Sequence, residues 1–134
     1  MKLYATTLFR ADIYDESINL FETVLQIEPR NTDVMLTMGH LYKTDGQIEK
    51  SIDSYTSAFS MDKYFGDAYW SLANLKTYKF NEKQIKSLQE MVNDEFVPDE
   101  EKVFMYFCLG KAYEDMGKYK ESYNFYKSGN EYPK

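Results

Sequence analysis

The sequence predicts an all-α fold, an α-α superhelix of about four helix–turn–helix repeats and eight helices, on three observations. A small residue recurs at a fixed interval: Ala5, Gly39 and Ala73 stand 34 positions apart, and Gly110 follows after 37. Apolar residues recur at steps of three and four, as in Ile48, Ile52, Tyr55 and Phe59, which marks one stripe of a helix. The 134 residues hold 13 Tyr and 9 Phe against 6 Gly and 3 Pro, a balance that favours long helices over loop-rich β structure.

Periodicity and punctuation predict helices over 2–11, 14–27, 32–44, 48–60, 66–78, 82–93, 99–115 and 119–130. Gly46 and Gly117 fall in turns within repeats, where a backbone free to take positive φ is useful. Pro29 and Pro98 mark breaks between repeats. Asp99, Glu100 and Glu101 follow Pro98 at a helix start, where the helix dipole favours negative charge. The repeats group as 1–31, 32–65, 66–99 and 103–134 within one domain, 1–134. Regular pattern from end to end predicts a fragment of a longer chain.

The column of small residues carries companions. Met35, Tyr69 and Tyr106 precede it, and Leu8, Tyr42, Lys76 and Tyr113 follow three positions later. Ser17, Ser51, Ile85 and Ser122 stand twelve positions after it, and Phe21, Tyr55, Gln89 and Tyr126 sixteen after it. The physical reading is close packing of antiparallel helices. A small residue on the first helix admits the second, the small residue twelve positions on accepts that approach, and bulky rings fill the space between. Ile85 and Gln89 break the pattern in the third repeat.

This pattern resembles the tetratricopeptide repeat, whose signature W-x2-L-G-x2-Y…A-x3-F…P has a period of 34. Residues 32–65 and about 103–134 carry it best. Two segments resemble something narrower. Residues 66–80, GDAYWSLANLKTYKF, and 107–130, FCLGKAYEDMGKYKESYNFYKSGN, are similar to the N-terminal repeat region of bacterial tetratricopeptide-repeat sulfotransferases. The resemblance implies a non-catalytic module that holds a protein or peptide, with a sulfotransferase domain following it. The alternative is a free-standing adaptor. No Gly-rich loop between a strand and a helix is present to cradle a sulfonate donor, so no donor-binding residue of that family maps onto this chain.

In a tetratricopeptide array the first helix of each repeat lines the concave face. Carried over by position, the groove candidates are Leu36, His40, Lys43, Asp67, Trp70, Asn74, Thr77, Tyr78, Phe107 and Lys111, with Thr6, Phe9, Asp33, Phe104 and Glu114 alongside. Trp70 is the anchor candidate, because Trp is enriched among residues that dominate binding energy. Its competing role is packing against a neighbouring helix. Some tetratricopeptide co-chaperones clamp a peptide carboxylate with Lys and Asn. Asn74 and Lys111 are present here, but Leu36, Thr37, Phe104 and Cys108 occupy the remaining basic positions, so that clamp is incomplete.

Other functions find little support. A formal charge of −6, with only Arg10 and Arg30 as arginines, argues against nucleic acid. No run approaches the ~20 apolar residues of a membrane span, and no signal peptide opens the chain, which predicts a cytoplasmic protein without membrane association. His40 is the single histidine, so neither a histidine metal site nor a Ser-His-Asp triad assembles, and it reads as a polar groove residue. Cys108 cannot form an intrachain disulfide and reads as a half-buried, inert thiol. The acidic run Asp94, Glu95, Asp99, Glu100 and Glu101 lacks the ligand spacing of a calcium loop and reads as a solvated inter-repeat loop. No catalytic residue, cofactor or metal is expected. Exposed terminal repeats predict end-to-end self-association, a homo-oligomer.

Overall fold

The computed structural model describes the backbone of residues 2–131 and the side chains of residues 13–131. Among the described residues the fold is all helical, with α1 (Lys2–Ile27), α2 (Thr32–Thr44), α3 (Ile48–Met61), α4 (Gly66–Ala73), α5 (Glu82–Val92), α6 (Asp99–Asp115) and α7 (Tyr119–Asn130). Two expected elements differ. The helices expected over 2–11 and 14–27 are one continuous helix, α1, and the helix expected over 66–78 stops at Ala73. The first difference has a local cause. The turns of the second and fourth repeats run through Gly46 and Gly117 at φ 81° and 77°, whereas Asp12 stands 34 positions before Gly46. Nothing at 11–13 breaks the helix, so it continues.

The chain divides into two compact units, Met1–Met61 and Asp62–Lys134. In the first, α2 and α3 form a tight antiparallel pair and α1 packs on α2. The pair is built as the spacing predicts. The Tyr55 ring lies directly over Gly39, where any Cβ would collide with it. The Ser51 hydroxyl donates to the Gly39 carbonyl at 2.8 Å. Smallness at both positions thus lets the helices close, and the serine adds a buried hydrogen bond, which contributes about 1 kcal/mol. The Asn31 side chain caps α2 by accepting from the Val34 amide at 3.1 Å. Gln47 donates to the Tyr14 hydroxyl at 3.0 Å, tying the α2–α3 turn to α1. Ile18, Met35, Met38, Tyr55 and Ala58 form the buried core.

In the second unit α6 and α7 repeat the same device. A Cβ on Gly110 would stand 2.8 Å from the Tyr126 ring, and the Ser122 hydroxyl donates to the Gly110 carbonyl at 2.7 Å. Gly129 adds a second close approach, its Cβ position 2.6 Å from the Phe107 ring. The third repeat is put together differently, because α4 and α5 each pack on α6. After Ala73 the chain leaves the helix through tight turns, Leu75 to Leu72 at 3.1 Å and Tyr78 to Leu75 at 3.1 Å. These turns sink Leu75 into the core at 2 % exposure. Burying a leucine is worth about 1.5–3 kcal/mol, against a few tenths for further helical turns at a polar stretch. Asn81 and Gln84 then start α5 with reciprocal side-chain to backbone bonds of 2.8 and 3.0 Å. Leu72, Leu88, Met105, Cys108 and Leu109 are fully buried at the centre of this unit.

Candidate functional site

Leu36, His40 and Lys43 fall on one face of α2 at helical spacing, in the first unit. Leu36 is half-buried, while His40 and Lys43 are exposed. His40 has a structural partner as well as an exposed edge. Its Nδ1 lies 2.7 Å from the Tyr55 hydroxyl, and the two rings meet edge to face at 5.4 Å. The histidine therefore positions the ring that packs on Gly39. Asp33 is exposed in the first turn of α2. The side chains of Thr6 and Phe9 lie outside the described residues.

The second unit brings together a larger group. Asp67 and Trp70 lie on α4, and Phe107 and Lys111 on α6. The Trp70 ring stacks at a tilt on Phe107, with centroids 5.6 Å apart, and Phe107 in turn meets Tyr126 of α7 at 6.2 Å. All three rings are half-buried, so this aromatic row both packs and presents an edge to solvent. Asp67 accepts from the Ser71 hydroxyl at 3.2 Å, and Lys111 pairs with Asp115 at 3.0 Å. The Lys111–Asp115 pair is a partly exposed i,i+4 pair along α6 and contributes little to stability. Phe104 covers Gly66, whose Cβ position is 3.0 Å from the Phe104 Cβ, and Glu114 is exposed.

Asn74, Thr77 and Tyr78 do not extend this helical face, because α4 has already ended. Asn74 is the C-cap residue of α4, and Thr77 and Tyr78 belong to the turns that follow. Tyr78 stacks edge to face on Phe80 at 5.7 Å, and its hydroxyl accepts from Gln84 at 2.8 Å. Tyr78 is thus a brace for the start of α5. Cys108 is fully buried, further than the half-burial expected, and that burial holds its thiol well above the ordinary value. It is an unreactive core residue.

The acidic run departs at Glu101 from the solvated loop expected of it, while Glu95, Asp99 and Glu100 are exposed. The Glu101 carboxylate accepts from the Gly66 backbone amide at 2.9 Å, closing the first turn of α4 from α6. Phe65, the N-cap residue of α4, supplies no side-chain cap. A Cβ on Gly66 would stand 2.6 Å from the Glu101 carbonyl, so only glycine lets the two helices meet there. Burial raises the Glu101 carboxyl, and the Gly66 amide partly offsets it. Gly66, Glu101 and Gly129 set the geometry beneath the aromatic row, and sequence reasoning missed all three. The signal available was the position of Gly66 at a predicted helix start.

A cavity of about 270 Å³ in the second unit is lined by Lys63, Tyr64, Tyr69, Ser87, Glu90, Met91 and Asp94. Its charge is mixed, and Lys63 lies over the Tyr64 ring at 4.9 Å. Among the described residues no group of three His, Cys, Asp or Glu side chains could hold a metal ion. No described helix is long and apolar enough to cross a membrane.

Residues 32–65 and 105–132 match the family model of the tetratricopeptide repeat. These are the two segments in which a glycine, serine and tyrosine lock a helix pair. Among solved structures the chain is similar to the crystal structure of MamA, with 25% sequence identity and a TM-score of 0.59 over 92% of this chain and 70% of that chain. No curated protein sequence matches. The fold is of the tetratricopeptide-repeat type, an architecture suited to protein–protein interaction.

Proposed function

We propose that this chain is a non-catalytic module that binds a peptide or a partner domain, and that Trp70 and Phe107 anchor the bound segment. The observation that carries this reading is the aromatic row on α4 and α6. Two large rings in contact at 5.6 Å remain partly exposed, with Asp67 and Lys111 on the same two helices. Rigid, partly exposed aromatics bordered by sparse charge are what an interface core and its polar rim require. Leu36, His40 and Lys43 offer a second patch on α2 in the first unit.

Two finer readings differ in what is attached. The resemblance of residues 66–80 and 107–130 to the repeat region of bacterial sulfotransferases supports an enzyme-linked module. A free-standing adaptor fits the same surface. The coding sequence that follows Lys134 separates them.

The test is a peptide array probed with the full chain and with Trp70→Ala. We expect the bound peptides to lose at least ~30-fold in affinity, the range of a dominant anchor, while circular dichroism shows the variant folded. If Trp70→Ala lowers the melting temperature but binds the same peptides equally well, Trp70 is packing alone and this reading fails.

A further inference from the structure

The first repeat carries the parts of a helix pair without forming one. Ala5, Ser17 and Phe21 repeat the spacing of Gly39, Ser51 and Tyr55 and of Gly110, Ser122 and Tyr126. In those two repeats the second helix folds back and the serine is buried, Ser51 at 0 % and Ser122 at 4 % exposure. In α1 the chain runs straight from Lys2 to Ile27. Twelve residues of helix place Ser17 about 18 Å along the axis from position 5, too far for contact. Ser17 and Phe21 are accordingly only half-buried, and Ile13 and Leu20 beside them are 47 % and 62 % exposed.

We infer that this seat is filled by residues 2–11 of a second copy of the chain, in a reciprocal helix exchange that makes a homodimer. Three observations identify the occupant. The register is already written, since segment 2–11 carries the small residue that Ser17 and Phe21 match. The charges are complementary: residues 2–11 contain Lys2 and Arg10 and no acid, whereas residues 12–28 contain Asp12, Asp15, Glu16, Glu22 and Glu28 and no base. Finally, Asp12 occupies the position that Gly46 fills at φ 81° in the second repeat. A hairpin within one chain would force an L-residue into that turn. Exchange between chains forms the same contacts with α1 left straight.

The experiment uses the full chain with Ala5→Cys and Ser17→Cys together, oxidised and run on a non-reducing gel beside the oxidised wild type. Light scattering over a range of concentrations accompanies it. Fully buried Cys108 does not compete for the crosslink. We expect a wild-type dimer, and a crosslink joining two chains in the double variant. Asp12→Gly should permit the closed hairpin, weaken association at least tenfold and turn the crosslink intramolecular. Ala5→Arg should weaken the dimer at least tenfold with helicity retained. A wild-type chain that stays monomeric at every concentration overturns the inference. So does an intramolecular crosslink in the double variant with Asp12 in place, or a dimer indifferent to Ala5→Arg.

Discussion

A hydrogen atom at Gly39 is the widest group that the Tyr55 ring leaves room for. Gly39→Leu therefore overpacks the α2–α3 contact and should cost about 1–3 kcal/mol, read as a lowered urea midpoint at unchanged slope. Tyr69 acts through its proton. Burial, then the neighbouring Cys108 and Asp62, push its hydroxyl up to about 12. The folded chain holds that proton more tightly than the unfolded chain, whose tyrosines titrate near ~10. The resulting stability is complete below pH ~10 and is lost as pH rises through about 12. Urea midpoints measured between these values should fall for wild type and fall less for Tyr69→Phe. A slope remains in the variant because Tyr14, Tyr42 and Tyr126 are raised in the same sense. At this scale the spacing of Gly39, Ser51 and Tyr55 was legible. The hydrogen bond from Ser51 was not, because a pattern of small residues records volume and is silent on donors.

Helix α4 shows how an element can depend on another far along the chain. Its own N-cap is Phe65, without a capping side chain, and the Glu101 carboxylate closes its first turn from α6. Glu101→Ala should cost about 0.5–2 kcal/mol, the usual range for losing a cap, and should speed amide hydrogen exchange at Gly66. Unchanged protection at Gly66 would count against this role. The caps that Asn31 and Asn81 place on α2 and α5 were passed over, whereas the helix start at Asp99 was readable from Pro98 because that signal is local. The end of α4 was not, since it is fixed by the burial of Leu75, a tertiary gain. In α1 the repeat register suggested a turn that Asp12, lacking glycine's freedom, does not make. Of the candidate surface, Trp70, Phe107 and Lys111 were placed by position, whereas Thr77 and Tyr78 were carried off the face by that early stop.

Each compact unit of the molecule has its own core, and the cores differ in size. The second buries Leu72, Leu75, Leu88, Met105 and Leu109, while the first relies on Ile18, Met35, Met38, Tyr55 and Ala58. A fragment of residues 62–134 should therefore fold alone with a cooperative melt, and a fragment of residues 1–61 should melt at lower temperature. Circular dichroism of the two fragments checks both statements. The 34-residue period reveals helices and turns but not which neighbours pack, so this division was invisible in the repeat. The cap on α4 also bears on synthesis. A nascent chain releases Gly66 from the ribosome 35 residues before Glu101, and at ~5–20 residues per second the interval lasts a few seconds. Throughout that wait the Trp70 segment emerges unfinished, available to chaperones and proteases until α6 arrives to complete it.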